Sequence, residues 1–328
     1  MTGFCLDKEI SCHSLNVPVV PHFLRLVSLV RRFEKFQAIE DVMIYSGNYA
    51  PLAVKNHIRS VNIFYCHTPP RFLYDKKDFY LKEIPVFLRP AFGYFCAWYR
   101  KKYENAVKKM DIILANSENT RRRIKRYLEM DSTVLYPPVD TEQFKWLGQE
   151  DFFLSAARID PLKRIELIVR AFMEMPDQKL KLVSDGPDLP KIRTMVSGSR
   201  NIQVLGWVSQ PELIELTGKC RAAVYIPRDE DFGISPIESM AAGKPVIGVS
   251  EGGLLETILD GRTGFLLPPG PGKKDLINAV SYMTAERAAA MKDACEQRAK
   301  MFGAGIFLEK IRKLTENAAK KEAVHAAQ

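Results

Sequence analysis

The sequence predicts an α/β protein with two doubly wound parallel sheets, and three observations indicate this fold class. The chain has 328 residues, which is too long for one small hydrophobic core. Its second half alternates short apolar runs with helical patterns, as doubly wound sheets do. Small and polar residues follow several of these runs, at the strand ends where open sheets bind ligands. We therefore expect an amino-terminal domain at residues 1–145 and a carboxy-terminal domain at residues 146–328.

The composition is that of a water-soluble globular protein, with 46% apolar and 27% charged residues. No apolar run approaches the length of about 18 residues that a transmembrane helix needs. The first residues lack the basic and then apolar layout of a signal peptide. Six cysteines without a C-x-x-C pair favour reduced thiols over a disulfide framework or a zinc site. A cytoplasmic location is therefore expected.

The positive charge is concentrated in the first half of the chain. The net charge is +9, and residues 1–145 hold 23 Lys and Arg against 15 Asp and Glu, a balance of +8. Such a surface can face nucleic acid or an anionic membrane. Since no helix-turn-helix, zinc-finger or RNP pattern is present, the membrane surface is the better prediction, and no nucleic-acid partner is expected.

The first half contains apolar runs and helical patterns of a small parallel sheet. Strands are predicted at residues 42–45, 61–66 and 111–116, and helices at 22–36 and 119–128. Residues 133–136 and the Pro-Pro-Val-Asp that follows are expected to close the first domain and start the linker. The first helix has Phe23, Leu26, Val30 and Phe33 on one face, which favours packing on the sheet over a membrane role. The second helix carries a block of basic residues that is expected to form a solvated face. These are Arg121, Arg122, Arg123, Lys125 and Arg126.

Aromatic residues are concentrated at residues 85–110, where Arg and Lys are interleaved with them. The aromatic side chains are Phe87, Phe92, Tyr94, Phe95, Trp98, Tyr99 and Tyr103. Rings at a lipid interface with flanking cations are one interpretation. An amphipathic helix that covers the sheet is the other, and the two are compatible.

One histidine stands at the end of a predicted strand. Residues 61–66 lead into Cys-His-Thr-Pro-Pro, where the prolines end the strand and hold His67 at its carboxyl tip. A single histidine is more often structural than functional. Its position at the ligand end of a sheet makes the two interpretations about equally good.

The second half contains six predicted strands, each followed by a helical pattern or a turn. The strands are predicted at residues 152–156, 180–184, 202–205, 222–226, 245–249 and 264–267. Helices are predicted at residues 165–175, 211–220, 236–242 and 254–259, and the chain from about residue 273 is expected to be helical throughout.

The stretch 228–243 holds two glutamates eight positions apart. Glu230 would lie on the loop after a strand and Glu238 on the first turn of the next helix, so both can face one ligand. Carboxylates accept paired hydrogen bonds from vicinal hydroxyls, as a ribose or hexose offers. Gly233 allows close approach to the backbone, and the helix start near Ser235 offers free N–H groups to an anion.

Cationic and polar residues follow the other strands of this half. Arg158 and Lys163 lie after the first strand, where they can bind a diphosphate. Asp185 lies in a sharp Ser-Asp-Gly-Pro turn after the second strand. Val208 follows the third, where backbone groups could read the edge of a base. A cationic pair and a carboxylate pair at the ends of these strands predict a pocket that binds a nucleotide sugar.

The stretch from Glu230 to Glu238 resembles the E-x7-E signature of retaining glycosyltransferases of family 4. It contains Phe-Gly-Ile and is followed by Ser-Met-Ala-Ala-Gly-Lys-Pro. The first half resembles mannosyltransferases of O-antigen and related polysaccharide assembly in Cys-His-Thr-Pro, Ala-Asn-Ser and Tyr-Pro-Pro-Val-Asp. The resemblance implies the GT-B fold, two Rossmann-like doubly wound domains facing a cleft. The family's usual opening strand and glycine-rich loop are not evident before residue 42, so the amino-terminal domain is expected to be shortened. Ser184 and Ala157 stand where glycine is common in the family.

The resemblance also implies the roles of individual residues. Arg158 and Lys163 would hold the diphosphate, Glu238 the ribose hydroxyls and Val208 with its neighbours the base. Glu230 and the backbone of Phe232, Gly233 and Ile234 would hold the transferred sugar, with His67 over it.

The implied activity is transfer of a hexose with retention to a lipid-linked or polysaccharide acceptor at the inner face of the cell membrane. Mannose from GDP-mannose is the first choice of donor and a UDP-hexose the second, with no cofactor or metal. Two other functions stay open: a catalytically silent sugar-nucleotide-binding partner of a membrane assembly complex, and a nucleotide-sugar epimerase. A phosphorylase is disfavoured, since no lysine suited to pyridoxal phosphate is evident.

Overall fold

A computed structural model describes residues 12–15, 22–57 and 60–326. The chain divides into two compact units, and each unit is described by itself. The first lies within residues 1–114, 125–132 and 317–328, and the second comprises residues 115–124 and 133–316. The predicted domain boundary at residue 145 stays a prediction.

The first sheet has four strands in the order β1-β2-β3-β4, which are Val42–Ser46, Val61–Cys66, Ile112–Ala115 and Thr133–Val134. β1 and β2 are parallel, with Val42 opposite Val61. The helices of this half are α1 His22–Lys35, α2 Lys77–Glu83, α3 Arg89–Val107 and α4 Glu118–Leu128. The predicted strands β1, β2 and β3 and the helices α1 and α4 are thus confirmed, close to their predicted bounds, whereas β4 was not predicted as a strand.

Helix α1 packs inside its unit as expected. Val30 is fully buried, Leu26 and Phe33 are partly buried, and the helix lies against a 3-10 helix at Ala50–Asn56. The side chain of Phe23 lies outside the described residues. These contacts favour the packing role of this helix over a membrane role.

The aromatic stretch divides into a buried set and an exposed set. Tyr99 is 0% exposed and Phe95 stacks on it with ring centroids 5.7 Å apart, while Tyr103 is equally buried. A lipid contact for these three rings, which the aromatic stretch allowed, is therefore wrong. Phe87 and Tyr94 remain exposed.

The second sheet has six strands, and all of its pairs are parallel. They are β5 Phe153–Ser155, β6 Leu180–Val183, β7 Ile202–Gly206, β8 Ala222–Val224, β9 Val246–Val249 and β10 Gly264–Leu267. The order is β10-β9-β8-β5-β6-β7, so the direction of winding reverses between β8 and β5. Doubly wound sheets bind ligands outside the carboxyl ends of the strands at this reversal. The loops after β5 and β8 are those that carry Lys163 and Glu230.

Helices connect the strands of this sheet. From residue 273 onward the chain forms several helices with breaks between them. The helices are α5 Ile165–Phe172, α6 Leu189–Met195, α7 Gln210–Lys219, α8 Ile234–Ala241, α9 Leu254–Thr257, α10 Lys273–Tyr282, α11 Ala285–Ala290, α12 Lys292–Lys300 and α13 Ala304–Ala326. The expectation of one continuous helical tail is wrong. Thr284 begins a new helix because its side chain accepts a hydrogen bond from the Arg287 N–H. Among the described residues, no helix has the length and apolar character to cross a membrane.

Candidate functional site

The turn between β5 and α5 fixes the position of Lys163. The Asp160 carboxylate accepts hydrogen bonds from the Leu162 N–H at 2.9 Å and the Lys163 N–H at 3.2 Å. Pro161 occupies the first position of the resulting 3-10 helix, where its missing N–H costs nothing. Cap and proline together hold the backbone from which the Lys163 side chain extends.

Lys163 meets a carboxylate from the loop after β8. Its Nζ donates to Glu230 Oε2 at 2.5 Å and to the Tyr225 hydroxyl at 3.1 Å. Both side chains of the ion pair are about one-fifth exposed, at 21% and 19%. Burial first, and then the charge of Glu230, raises the pKa of Tyr225 well above its ordinary value, so Tyr225 stays a neutral phenol. The sequence predicted that a cation and an acid converge here, and the structure brings Lys163 and Glu230 together.

Glu238 is the fifth residue of α8, so it lies just beyond the first turn, where the sequence predicted it, and it is half-buried. Burial raises the pKa of this carboxyl group to about 7, because desolvation disfavours the charged form. Its charge also acts on Tyr225, the residue that Lys163 contacts. The charges of both predicted glutamates therefore act on Tyr225, and Glu238 changes its charge near neutral pH.

The two residues before α8 present backbone, because the Phe232 side chain is buried and Gly233 has none. Gly233 has φ +94°, and a Cβ there would lie 2.8 Å from Leu254 Cδ2, so glycine is needed. The Phe232 ring is buried against Tyr136, with centroids 5.4 Å apart. Ile234 is partly exposed and Ser235 accepts a hydrogen bond from the Ser239 hydroxyl through its carbonyl oxygen. Because the Phe232 ring is buried and Gly233 has no side chain, the backbone of these two residues is the group that can contact a ligand.

Arg158 is placed differently from Lys163. Its side chain is 69% exposed, and its Nε lies 3.9 Å from Asp160 Oδ2. Among the described residues the structure brings Lys163, and not Arg158, to Glu230. The diphosphate-binding role of Arg158 stays a prediction.

The turn after β6 approaches the β5 loop closely. The Asp185 carbonyl accepts from the Ile159 N–H at 3.1 Å, and its carboxylate accepts from the Gly186 N–H at 2.7 Å. A Cβ on Gly186 would lie 2.1 Å from the Ile159 oxygen, so only glycine fits. Asp185 therefore joins two loops at the ligand end of the sheet. Ser184, where the family often has glycine, has φ +119°.

Val208 follows β7 and is half-buried against a small apolar cluster that includes Phe152 and Leu154. Its neighbour Trp207 is largely exposed. The segment is thus anchored through Val208, while the Trp207 ring is available to solvent.

His67 belongs to the first unit, at the carboxyl end of β2. Its Nε2 lies 2.8 Å from the Ser46 hydroxyl, and its ring packs edge-on against Tyr65 with centroids 5.0 Å apart. Desolvation lowers the pKa of His67 below its ordinary value, although part of the ring is exposed. A neutral imidazole at the end of a strand is the state that the structure supports.

Helix α4 holds the loop that carries Glu230, a function the sequence interpretation missed. Asn119 Nδ2 donates to the Glu230 carbonyl at 3.0 Å. The buried Arg123 pairs with Asp229 at 2.7 Å and with Asp231. The expectation that the whole basic block forms a solvated face is therefore wrong at Arg123. Asn119 and Arg123 are four positions apart, the spacing of one helix face, which is the signal that could have revealed them.

No group of three or more His, Cys, Asp or Glu residues suited to a metal ion occurs within the described parts of the chain.

Comparison with known proteins gives a family model and several relatives. The model described as Glycosyl transferases group 1 matches residues 139–302, half of the chain. The "Alpha-1,3/1,6-mannosyltransferase ALG2" of Dictyostelium discoideum is 28% identical over 267 residues, 66% of this chain and 60% of that protein. The human protein of the same name is 27% identical over 244 residues, 64% of this chain and 56% of its own length. The matched region thus spans somewhat more than half the length of these relatives.

Solved structures share the fold. Sucrose-phosphate synthase from Thermosynechococcus elongatus has a TM-score of 0.76 and 19% identity, covering 98% of this chain and 87% of that one. Anabaena Alr3699/HepE in complex with UDP and glucose has a TM-score of 0.67 and 16% identity, covering 92% and 84%. These likenesses confirm the predicted GT-B fold.

Proposed function

Since the chain belongs to the glycosyl transferases group 1 family, we propose that it transfers a hexose from a nucleoside diphosphate sugar with retained anomeric configuration. This membership confirms the family resemblance inferred from the motifs. The observation that carries the proposal is the contact between Lys163 and Glu230 at the reversal point of the second sheet. A cation for a diphosphate and an acid for sugar hydroxyls meet there.

In the proposed reaction the leaving diphosphate gains negative charge, which Lys163, Arg158 and the start of α8 near Ser235 stabilise. Glu238 accepts hydrogen bonds from the ribose hydroxyls and Val208 contacts the base. Because cationic side chains do this work, no metal or cofactor is assigned to the proposal. The acceptor hydroxyl attacks the transferred sugar from the same face that the diphosphate leaves. The leaving diphosphate takes the proton of that hydroxyl.

Glu230 and the backbone of Phe232, Gly233 and Ile234 are proposed to hold the transferred sugar. His67 is proposed to contact the same sugar as a neutral imidazole, which can donate or accept one hydrogen bond.

Mannose from GDP-mannose is the proposed donor, transferred to a lipid-linked or polysaccharide acceptor. The name of the ALG2 relatives supports mannose, and the HepE complex with UDP and glucose keeps a UDP-hexose as the second choice. The test is turnover of radiolabelled sugar nucleotides, with and without membrane extracts as the source of acceptor. Labelled glycan or lipid is the expected product. Binding without turnover would indicate the silent partner, and an altered sugar nucleotide formed without acceptor would indicate an epimerase.

Contact with the anionic inner face of the cell membrane is part of the proposal, and one surface is suited to it. The apolar turn, which we define as Val86, Phe87 and Leu88, precedes α3. These side chains are 72%, 80% and 46% exposed. Tyr94 on α3 is 77% exposed, and the exposed Lys82 and Lys101 lie nearby in sequence. Apolar rings and flanking cations match an anionic lipid interface.

Replacing Val86 and Phe87 together with serine should weaken binding to phosphatidylcholine vesicles containing phosphatidylglycerol by about tenfold or more. Two side chains that enter lipid contribute roughly 3 kcal/mol or more, and incomplete insertion reduces this. Vesicle co-sedimentation measures the effect. The matched control is Leu255→Ser, which replaces an exposed apolar residue of the second unit, at 52% against 72% and 80% for Val86 and Phe87. Equal binding by the double variant and the wild type would remove the apolar turn from the proposal.

The pH dependence of kcat/KM for the donor should follow the ionisation of Glu238. Because its pKa is raised to about 7, the carboxylate form that accepts two hydroxyl hydrogen bonds is present above pH 7 and lost as the pH falls. We expect kcat/KM for the donor to fall about tenfold per pH unit below 7. Glu238→Gln should remove this inflection while lowering kcat/KM at pH 8. An inflection near pH 7 that persists in the variant would assign the titration to another group.

A further inference from the structure

Arg164 has a backbone conformation that is unusual for its residue type. It follows Lys163 directly, with φ +54° and ψ +32° in the left-handed region. A residue with a Cβ loses roughly 1 kcal/mol there relative to glycine. Its side chain is only 9% exposed, so the guanidinium is held inside the unit.

The guanidinium of Arg164 binds the chain just before Glu230. Its Nη1 donates to the Ile226 and Pro227 carbonyl oxygens, both at 3.0 Å. Its Nη2 donates to the two carboxylate oxygens of Glu251 at 2.8 and 3.1 Å. One side chain therefore ties the turn after β5 to the loop after β8 and to the loop after β9.

Glu251 extends this contact to the Glu230 loop. Its Oε2 accepts from the Asp229 N–H at 3.1 Å, and its Oε1 accepts from the Gly270 N–H at 2.7 Å. Burial raises the pKa of Glu251, but Arg164 and the two amides outweigh burial, and the net pKa is lowered. Glu251 is therefore a charged acceptor that fixes the residue before Glu230.

The loop is also held on its other side. The Gly253 N–H donates to the Glu230 carbonyl at 2.8 Å. A Cβ at Gly252 would lie 2.2 Å from that same oxygen, so the two backbones touch. Together with the contacts of Asn119 and Arg123 from α4, these bonds hold the loop, and Arg164 connects it to the turn that carries Lys163.

We propose that Arg164 is a positioning residue that, through Glu251 and the Ile226 and Pro227 carbonyls, sets the Glu230 carboxylate opposite Lys163. The same turn thus supplies the cation for the diphosphate and the guanidinium that orients the acid for the sugar. This inference rests on the proposed function. It also predicts that Arg164 and Glu251 protect the Asp229 amide from hydrogen exchange, which can be measured without a ligand.

The test compares Arg164→Gly, Arg164→Lys and Glu251→Gln with wild type, using GDP and GDP-mannose as probes. We expect kcat to fall about 10- to 100-fold in Arg164→Gly, as one charged hydrogen-bonding group is lost. The Kd for GDP should stay within about threefold, because Lys163 and Glu238 are untouched. A lysine lacks the planar fork and should restore little. Arg170→Ala, which removes an exposed ion pair with Glu166 on α5, is the control.

Hydrogen exchange at the Asp229 amide supplies the ligand-free measurement, and we expect it to quicken about tenfold or more in Arg164→Gly and Glu251→Gln. The Arg164→Gly/Glu251→Gln double variant should be little worse than either single variant, because the two residues act together. Unchanged exchange at Asp229, or equal loss of affinity for GDP and GDP-mannose, would overturn the inference. A wild type that turns over no sugar nucleotide would instead reject the proposed function, and the exchange result would still decide the role of Arg164.

Discussion

Replacing Lys163 with alanine should lower kcat/KM for sugar transfer by about 100- to 1,000-fold. The ammonium would lose its interaction with a diphosphate whose charge grows in the transition state, which is worth roughly 3–4 kcal/mol in a partly buried site. The Kd for GDP should rise as well, because the nucleotide retains the diphosphate. Steady-state kinetics and calorimetric titration with GDP measure the two effects.

The matched control for this variant is Lys191→Ala. Lys191 pairs with Glu166 at the same distance of 2.5 Å as Lys163 with Glu230, but on an exposed surface. Exposed pairs contribute about 0–1 kcal/mol, so this variant should fold and turn over like wild type. If Lys163→Ala kept its turnover within about threefold, or lost no more than Lys191→Ala, the diphosphate role would be wrong.

The strands of this protein could be predicted because their apolar runs are local signals. The bounds predicted for β2 and β10, residues 61–66 and 264–267, agree with the structure at both ends. The order β10-β9-β8-β5-β6-β7 is not a local signal, since it depends on which strands pair. The contact between Lys163 and Glu230 follows from that order, because β5 and β8 are neighbours. The positions of both residues after predicted strands, together with the family motifs, made their convergence predictable.

The residues that hold the site were missed for the same reason. Arg123 contacts Asp231 across 108 positions, and Lys163 contacts Tyr225 across 62. No pattern within a window of one helix or strand connects such residues. Arg123 looked like its neighbours in a basic block; its four-residue spacing from Asn119 indicates a shared helix face, but not the loop that this face contacts.

The aromatic stretch shows a limit of composition as a guide. The same residue types serve as core at Tyr99 and Tyr103 and as surface at Phe87 and Tyr94. Helical spacing could have separated them, since Phe95, Tyr99 and Tyr103 recur every four positions and therefore share one face. Phe87 precedes the helix, so its exposure required knowledge of where α3 begins.

Replacing Glu230 with glutamine should impair sugar transfer without weakening nucleotide binding. We expect kcat for transfer to fall about 100- to 1,000-fold, because a charged acceptor for the sugar hydroxyls becomes a neutral one and its contact with Lys163 is weakened. The Kd for GDP should stay equal or become lower, since Lys163 is released from a carboxylate that competes with the diphosphate. Kinetics with GDP-mannose and titration with GDP measure the two quantities.

The control is Glu215→Gln, which removes an exposed carboxylate paired with Lys219 at 2.6 Å and should change neither quantity. The Kd for GDP is thus expected to rise in Lys163→Ala but to stay equal or fall in Glu230→Gln, although both variants break the same ion pair. A merely structural pair would give the same sign in both variants, because each would loosen the same two loops. If Glu230→Gln weakened GDP binding as much as Lys163→Ala does, the pair would stabilise the fold. The assignment of Lys163 to the diphosphate and Glu230 to the sugar would then be wrong.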